Sequence, residues 1–304
     1  MQLYIHFLGT GGSWPSAERS VSAIAIKRGK EILLFDCGEG TQRQIQKSSL
    51  SYMQITNIFI THFHGDHFLG LSGLFQTLQL NDRKKELNVY GPPGMKHLIY
   101  QLTHLGYFTP AYDIIAHEVE GGDKVHFDGY KVKCINASHN VPALSYCLEE
   151  DARPGRFNKK KAIELGIPEG RLFGRLQRGE NVEVNGKIIT PSMVLGKNRP
   201  GRKITISGDT TPYESFIEFA RESDVLIHDA TTDSSLDQKA NEYGHSTARQ
   251  AAEIALKAGV DRLYLVHISP RYRDAKPLEK EAREVFPESY VTRDFMEVEV
   301  KLKK

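Results

Sequence analysis

The chain has 304 residues, of which 39% are hydrophobic and 26% are charged, and its formal net charge is +2. This composition is typical of an ordinary globular protein that folds as one large domain or two smaller ones. No apolar run approaches the length of a membrane span, and the N-terminus lacks the basic start and cleavage site of a signal peptide. Cys37, Cys134 and Cys147 are odd in number and widely spaced, so we predict reduced, buried thiols in a cytoplasmic protein.

The N-terminal part of the chain predicts short strands followed by a helix. Residues 3–8 predict a strand, residues 22–26 and 31–35 predict a hairpin, and residues 41–47 predict a helix. Asp36 directly follows the second hairpin strand. Two interpretations of this carboxylate remain open: it orients a metal-binding histidine, or it caps a helix.

Four side chains that can bind metal lie within six residues, directly after the strand-like run 58–60. They are His62, His64, Asp66 and His67. Side chains alternate along an extended chain, so His62 and His64 can point the same way, and Asp66 and His67 lie on the first turn of a following helix. Imidazole and carboxylate groups are ligands that zinc and similar divalent cations prefer. The pattern favours two neighbouring metal ions; the alternative is a surface loop that is rich in histidine by chance.

The same sequence pattern recurs later in the chain: a strand-like run is followed directly by a residue that can bind metal. Residues 68–80 predict a core-facing helix, and the last third of the chain alternates strands and helices, which indicates a layered α/β fold. His139, Asp209 and His267 each follow a predicted strand. Ligand sites of α/β folds gather beyond the carboxyl ends of strands, so we expect these residues to converge on one rim. Two metals that share a carboxylate would activate a water and stabilise charge on a phosphoryl or carbonyl oxygen.

A basic segment interrupts this pattern from Asp151 to about Arg202. It is rich in Lys, Arg, Gly and Pro, and its hydrophobic residues are too sparse to predict a core of its own. Charge runs are usually solvated faces, but a long basic insertion between two parts of a candidate site favours an arm that binds a polyanion. Phe157 and Phe173 either pack the arm or stack on nucleic-acid bases, and both interpretations remain open.

Six features of the sequence occur together: His62-x-His64-x-Asp66-His67 with His139, Asp209 and His267; the opening Phe7-Leu8-Gly9-Thr10-Gly11-Gly12; the block from Phe35 to Gln42; the loop Gly244-His245-Ser246-Thr247-Ala248; the basic segment; and the closing His267-x-Ser269-x-Arg271-Tyr272. This combination resembles the metallo-β-lactamase superfamily and, within it, the tRNase Z family. The resemblance covers essentially the whole chain. It implies an α/β fold, the αβ/βα four-layer sandwich, as a single domain over residues 1–304 with a protruding, flexible basic arm at about 151–190.

The resemblance also implies a function. The enzyme would be a zinc-dependent endoribonuclease that removes the 3′ trailer from precursor tRNA, leaving a 3′-hydroxyl on the tRNA and a 5′-phosphate on the trailer. It would bind two Zn²⁺ per subunit with the following ligands: His62, His64 and His139 for one ion, Asp66, His67 and His267 for the other, and Asp209 as a bridge. A water shared by the two ions would attack the phosphodiester, and Asp66 would accept a proton from it.

Further roles are implied for the loop and the arm. His245 would protonate the leaving 3′-oxygen; the alternative is an ordinary residue at a helix start. The family often pairs this histidine with a Glu, and this chain has Asp229 in that loop, so a pair between His245 and Asp229 is a hypothesis. The arm would grip the tRNA across a homodimer, and residues 166–171 resemble its tip without the usual second Pro. Arg271 and Arg273 either contact phosphates or are solvated.

Other functions explain part of the pattern. A small-molecule phosphodiesterase of the same superfamily would share the metal ligands but would not need a basic arm. A non-catalytic tRNA-binding protein would need the arm but not a complete set of ligands. The ligand types also admit Mn²⁺ or Fe²⁺ in place of Zn²⁺.

Overall fold

Two seven-stranded mixed sheets form the body of the protein in a computed structural model that describes residues 1–303. The strands are β1 (Leu3–Gly9), β2 (Ala23–Arg28), β3 (Glu31–Phe35), β4 (Ile55–Phe59), β5 (Leu87–Gly91), β6 (Ile114–Glu118), β7 (Lys124–Phe127), β8 (Tyr130–Asn136), β9 (Leu144–Glu150), β10 (Val182–Val184), β11 (Lys187–Ile189), β12 (Lys203–Ile206), β13 (Val225–Asp229), β14 (Leu263–Val266), β15 (Ser289–Val291) and β16 (Glu297–Glu299). The helices are α1 (Thr41–Lys47), α2 (Gly65–Phe68), α3 (Leu71–Leu80), α4 (Met95–Thr103), α5 (Lys159–Glu164), α6 (Arg171–Gln177), α7 (Pro191–Val194), α8 (Glu214–Ala220), α9 (Asp237–Glu242), α10 (Ala248–Ala258) and α11 (Lys276–Val285).

Each sheet has an antiparallel half and a parallel half. The first sheet has the order β16-β1-β2-β3-β4-β5-β6 and is parallel from β3 to β6. The second has the order β15-β14-β13-β12-β9-β8-β7 and is parallel from β12 to β15. The predicted hairpin is confirmed as β2 and β3, in which Arg28 pairs with Glu31, and the predicted helix 41–47 is confirmed as α1.

Three apolar clusters define four layers. One lies between the two sheets, where the ring of Phe59 packs against Phe35 at 5.1 Å and against Tyr146 at 5.4 Å between centroids. The second packs α1, α3 and α4 on the outer face of the first sheet. The third packs α8, α10 and α11 on the outer face of the second sheet. The order helix, sheet, sheet, helix confirms the predicted αβ/βα four-layer sandwich.

The predicted helix 68–80 is divided in two at Gly70. The backbone N–H of Gly70 donates to the carbonyl oxygen of Cys37 at 2.9 Å, and a Cβ at Gly70 would collide with the carbonyl oxygen of Gly38. This close approach of two backbones separates α2 from α3. It places α2, with Asp66 and His67, directly above the end of β3.

The basic segment has a core of its own, so the prediction that its hydrophobic residues are too sparse for one is wrong. Six buried side chains from its helices and hairpin form a separate cluster: Ala162, Ile167, Leu176, Val182, Ile189 and Val194. The rings of Phe157 and Phe173 lie 4.7 Å apart and pack against this cluster, which favours packing over base stacking for both. The sequence hid this core because its members come from five short elements without a shared periodicity.

The two sheets are joined at the edge where their parallel strands end. The backbone N–H of Leu144 donates to the carbonyl oxygen of Thr61 at 2.9 Å, and the Tyr146 hydroxyl donates to that of Ile60 at 2.8 Å. The carboxyl ends of both parallel halves therefore meet at one rim. All three cysteines are free and buried, as predicted, and among residues 1–303 no helix is long and apolar enough to cross a membrane.

Candidate active site

The seven predicted ligands meet at the rim between the two sheets. His62, His64, His139 and Asp209 offer ligand atoms that all lie within 4.8 Å of one another. Asp66, His67 and His267 form a second group by the same criterion. These two groups correspond to the two predicted halves of the centre, apart from Asp209.

Asp209 lies between the two halves. Its Oδ2 atom is 3.7 Å from Nε2 of His62 on one side, and 3.3 Å and 3.2 Å from Nε2 of His67 and His267 on the other. Asp209 occupies the loop after β12 and is almost fully buried. A carboxylate in this position can contact cations in both halves, which is the predicted bridging role.

Asp36 orients the two histidines that lie deepest in the centre. Its Oδ2 atom accepts a hydrogen bond from Nδ1 of His67 at 2.7 Å, and its Oδ1 atom accepts from the backbone N–H of Thr61 at 2.8 Å and the Thr61 hydroxyl at 3.0 Å. Because that hydroxyl donates to Asp36, it accepts from Nδ1 of His62 at 3.0 Å. Both imidazoles therefore carry their proton on Nδ1 and turn the lone pair of Nε2 inward. Of the two interpretations of Asp36, the structure supports the orienting role.

Asp229 repeats this arrangement on the opposite side of the centre. Its Oδ1 atom accepts from the Thr231 hydroxyl at 2.7 Å, and that oxygen in turn accepts from Nδ1 of His267 at 3.0 Å. Its Oδ2 atom accepts directly from Nδ1 of His245 at 3.0 Å. Each buried carboxylate thus orients one histidine directly and a second one through a threonine. The hypothesis that His245 pairs with Asp229 is supported, since the shorter side chain reaches the imidazole.

The remaining two histidines complete the first half. Nδ1 of His139 donates to the carbonyl oxygen of Gly244 at 2.8 Å, so its Nε2 faces inward. His64 presents Nδ1 instead, which lies 3.0 Å from Nε2 of His62 and 3.3 Å from Nε2 of His139. Three ring nitrogens therefore converge on one point, where a single cation can contact all of them.

The donor set fits divalent cations. Nε2 of His67 is buried and has no hydrogen-bond partner among residues 1–303, which is costly for a polar atom unless a ligand satisfies it. Burial lowers the pKa of His67, but the charges of Asp209 and Asp36 outweigh burial and raise it well above its usual value. A cation that binds here therefore displaces a proton from His67.

The charges of the other ligands agree with this fit. Burial lowers the pKa of His62, and also of His64, which keeps both imidazoles neutral and able to bind metal. For Asp66, burial opposes ionisation, but the hydrogen bond from His267 and the charge of His67 lower its pKa. For Asp209, burial is outweighed in the same way by His267 and His67. At neutral pH, His62 and His64 are therefore neutral, whereas Asp66 and Asp209 are ionised.

Backbone geometry around the centre is strained or crowded at four positions. Asp36 and His267 are non-glycine residues with φ of 57° and 60°. A Cβ at Gly12 would lie 2.5 Å from the ring of His267, and a Cβ at Gly244, where φ is 80°, would collide with the ring of His139. Such conformations persist only where the surroundings hold them, and they cluster at functional sites.

Asp229 does not belong to the ligand set, although it lies close to Asp209 and His267. Both of its oxygens are fully hydrogen-bonded, since they accept from the Thr231 and His245 side chains and from the backbone N–H groups of Thr210, Thr231 and Ser246. A carboxylate saturated in this way positions its neighbours. Burial lowers the pKa of His245, but the charge and hydrogen bond of Asp229 dominate and raise it to about 9.

The sequence did not reveal the residues that support the ligands. No role was predicted from the sequence for Thr61 or Thr231. The same holds for the backbone N–H of Ser13, which donates to Oδ2 of Asp66 at 2.7 Å. The first two adjoin recognised residues, so a polar side chain next to a strand-end ligand is the signal that could have found them. Arg271 lines a cleft beside His245, whereas Arg273 does not line that cleft.

Comparison with known proteins agrees with this architecture. The profile of the beta-lactamase superfamily domain matches residues 178–268, and that of the anti-Pycsar protein Apyc1 matches residues 3–152. The short form of human tRNase Z superimposes with a TM-score of 0.73 and 29% identity, covering 98% of this chain and 100% of the human one. A metallo-β-lactamase fold protein from Bacillus subtilis, 18% identical, superimposes with a TM-score of 0.72 over 98% of this chain and 99% of its own. The protein has the metallo-β-lactamase fold, and its cluster of His and Asp side chains is suited to binding metal.

Relatives that are similar in sequence identify the family to which the chain belongs within this class of proteins. The ribonuclease Z of Methanosarcina acetivorans is 46% identical over 98% of both chains. That of Methanothermobacter thermautotrophicus is 48% identical over 98% of this chain and 96% of its own. The chain belongs to the ribonuclease Z family and is an enzyme of the hydrolase class.

Proposed function

We propose that this chain matures tRNA as a two-zinc endonuclease. A ribonuclease Z is a tRNA 3′-processing endoribonuclease, and this chain acts in that role. It cleaves the bond between phosphorus and the 3′-oxygen of the last tRNA nucleotide. The tRNA keeps a 3′-hydroxyl, and the trailer leaves with a 5′-phosphate.

Seven side chains would hold two Zn²⁺ ions per subunit. His62, His64 and His139 are proposed for one ion, Asp66, His67 and His267 for the other, and Asp209 for both. When bound, the ions supply Lewis-acid chemistry: they lower the pKa of water and neutralise charge on the phosphate. The inward lone pairs of the histidines support this proposal, as does the position of Asp209 between the two groups.

Two further roles concern protons. Asp66 is ionised and lies at the edge of the centre, so it can accept a proton from the attacking water. His245 is held at Nδ1 by Asp229, which leaves Nε2 to donate a proton to the departing 3′-oxygen. The raised pKa of His245 supports this role, because an acid must be protonated before it can donate. The ring of His245 stacks 5.0 Å from that of His267, directly beside the metal ligands.

The observation that carries the proposal is the combination of a complete donor set with His245 held on Asp229. The test is to incubate the zinc-loaded protein with a precursor tRNA and, separately, with a chromogenic phosphodiester. We expect a cut at the discriminator base, which leaves the 3′-hydroxyl and 5′-phosphate ends stated above. A small-molecule phosphodiesterase would hydrolyse only the chromogenic substrate, and a non-catalytic binding protein would cleave neither.

Replacement of the proposed acid gives a second test. His245→Ala should lower turnover of precursor tRNA by about 10²- to 10⁴-fold, the usual contribution of a general acid. Its zinc content should equal that of the unchanged protein, because His245 is not among the proposed ligands. His97→Ala, which removes an exposed imidazole from α4, is the control and should leave turnover unchanged. Unchanged turnover in His245→Ala would remove this residue from the mechanism.

The basic arm is proposed to bind tRNA. Residues 151–202 carry twelve basic and five acidic side chains, whereas the whole chain has a formal net charge of only +2. Lys160, Lys161 and Arg171 are exposed and form no salt bridge within residues 1–303. Free cations on a separately packed projection suit phosphate contacts outside the catalytic centre.

Charge reversal tests the arm. The double variant Lys160→Glu, Lys161→Glu should weaken precursor tRNA binding by about tenfold or more at low salt and flatten its salt dependence. The matched control is Lys257→Glu, Lys280→Glu, which makes the same charge change on α10 and α11. Deletion of the arm should likewise weaken precursor binding and spare hydrolysis of a small phosphodiester. Loss of both activities would mean that the arm is structural.

A homodimer is proposed as the active assembly. Four large apolar side chains are exposed on α3, α4 and the loop that follows: Leu80, Tyr100, Leu105 and Tyr107. These elements are in contact with one another, since the backbone N–H of Ala111 donates to Gln79 at 2.8 Å and the Tyr112 hydroxyl to the carbonyl oxygen of Phe75 at 3.2 Å. Exposed apolar residues concentrated on neighbouring elements are typical of an interface.

Light scattering after size exclusion tests the dimer. The protein should elute with twice the mass of its 34.3 kDa chain, and Leu80→Asp with Tyr107→Asp should give a monomer. Leu256→Asp alters an exposed leucine on α10 and should leave the dimer intact. A monomeric unchanged protein at micromolar concentration would refute the proposal. We place the enzyme in the cytoplasm, where precursor tRNA is its substrate and three free cysteines stay reduced.

A further inference from the structure

Two aromatic side chains remain exposed beside the catalytic centre and have no aromatic partner within residues 1–303. Trp14 and Tyr243 are each 62% exposed. Both line one cleft of about 260 Å³, which we call the aromatic cleft, and His245 forms part of its wall. Large exposed aromatic rings next to a nuclease centre are suited to stacking on nucleic-acid bases.

The fold fixes the backbone of both aromatic residues relative to the reacting groups. Trp14 follows Ser13, whose backbone N–H holds Asp66, and its own N–H donates to the carbonyl oxygen of Gly12 at 2.9 Å. Tyr243 ends α9, and the backbone N–H of His245 returns to the carbonyl oxygen of Ala240 at 2.9 Å. Each aromatic residue is therefore within two residues of a group that touches the centre. A base stacked on them would be positioned rather than loosely held.

The cleft also contains charges that suit a nucleotide. Lys239 and Arg271 line it, both are exposed, and neither forms a salt bridge within residues 1–303. Free cations beside exposed aromatic rings match the two parts of a nucleotide, a phosphate and a base. The floor is formed by small and apolar residues, among them Ala240 and Leu236.

A second cleft borders the centre at His139 and lacks these features. It has a volume of about 470 Å³ and is lined by His139 together with Pro92, Pro93 and Pro142. It has no Phe, Tyr or Trp in its wall, and its charged side chain is the acidic Glu120. This cleft offers neither a stacking partner nor a cation for a phosphate.

The position of His245 indicates which part of the substrate each of the two clefts binds. In the proposed function, on which this inference rests, His245 protonates the departing 3′-oxygen, so the nucleotide that carries this oxygen lies on the side of His245. That nucleotide is the discriminator nucleotide, the last one of the product tRNA. We infer that the aromatic cleft is the subsite for its base, held by Trp14 and Tyr243, and that the trailer leaves across the proline-lined cleft without base stacking.

Trp14 is the only tryptophan in the chain, so its fluorescence reports on this cleft alone. We would titrate the zinc-loaded protein with a product tRNA that ends at its last nucleotide, and with the same tRNA carrying an abasic residue there. We expect quenching by the intact tRNA and little quenching by the abasic one, although both bind through the arm. Equal quenching by the two would overturn the inference.

Cleavage of modified precursors gives an independent measurement. An abasic last tRNA nucleotide should raise KM about tenfold for the unchanged protein, from the usual strength of base stacking on an aromatic ring. Trp14→Ala and Tyr243→Ala should raise KM for the intact precursor and show little further loss with the abasic one. Trp14→Phe should restore most of the loss. An abasic first trailer nucleotide should have no effect; a larger effect there would assign the cleft to the trailer and refute our assignment.

The controls separate this inference from the proposed function. Variants are compared only if their melting temperature and zinc content match the unchanged protein, and 2-aminopurine at the last tRNA position reports stacking where Trp14 is replaced. If the unchanged protein fails to cut the intact precursor, the proposed function is wrong. If it cuts that precursor but is indifferent to the missing base, only the subsite is wrong.

Discussion

A buried ion pair closes the base of the basic arm, and its removal should destabilise the whole protein. Glu150 ends β9, where the chain leaves the body, and Arg202 lies just before β12, where it returns. Their exposures are 8% and 4%. The guanidinium of Arg202 donates to both carboxylate oxygens of Glu150 at 2.7 Å, and Arg28 donates to the same carboxylate at 3.1 Å.

Arg202 also binds both ends of the chain. Its guanidinium donates to the carbonyl oxygen of Val300 at 2.9 Å and to that of Met1 at 3.0 Å. Arg202→Ala therefore removes two charge-assisted hydrogen bonds and leaves two carbonyl groups without this donor. Breaking a buried pair in this way costs about 3–5 kcal/mol of unfolding free energy. For a chain of 304 residues, that corresponds to a fall in melting temperature of about 5–8 °C.

The assay is thermal unfolding followed by circular dichroism at a fixed zinc concentration, since bound metal itself raises stability. The control is Arg178→Ala, which breaks the exposed pair with Glu180 and should leave the melting temperature nearly unchanged. Replacement of both Glu150 and Arg202 by Met should cost less than Arg202→Ala alone, because both buried charges are removed together and Arg28 keeps the carbonyl oxygens of Asp128 and Gly129 as acceptors. A loss below about 1 kcal/mol in Arg202→Ala would refute this reasoning.

Three more predictions concern the supporting residues. Gly244→Ala should lower zinc occupancy because the added Cβ collides with His139, and mass spectrometry of the metal measures this occupancy. The control is Gly259→Ala, at a position with φ of 63° and open space around the added Cβ, and it should keep full occupancy. Asp36→Ala should weaken zinc binding about 10- to 100-fold in a chelator competition, as expected when a ligating histidine loses its orienting partner. An unchanged affinity would contradict the role of Asp36 in orienting His67 directly and His62 through Thr61. Burial raises the pKa of Glu150, but its arginine partners outweigh burial and hold that pKa below its usual value. The contribution of Glu150 to stability is therefore present above its unfolded pKa of about 4.3 and is lost as the pH falls through its folded pKa. The difference in unfolding free energy between the unchanged protein and Glu150→Gln should narrow below a pH of about 4, and a constant difference would refute this reasoning.

Local sequence determined which residues form the centre. His62 and His64 alternate after a strand, Asp66 and His67 lie on the next helical turn, and Asp209 follows a later strand. The ligand chemistry of these side chains and the spacing of residues along strands and helices together indicated a rim of metal ligands. The same local reasoning found the hairpin of β2 and β3, because strand and turn preferences act over a few residues. The family of the protein was likewise readable from short motifs.

Only the tertiary structure decided how those residues are held. The tautomer of His139 is set by the carbonyl oxygen of Gly244, 105 residues away, and that of His67 by Asp36, 31 residues away. The core of the arm is assembled from five short elements, and the aromatic cleft brings Trp14 beside Tyr243 from opposite ends of the chain. Each of these depends on contacts between segments that are separated in the sequence, and such contacts are not encoded in any local pattern.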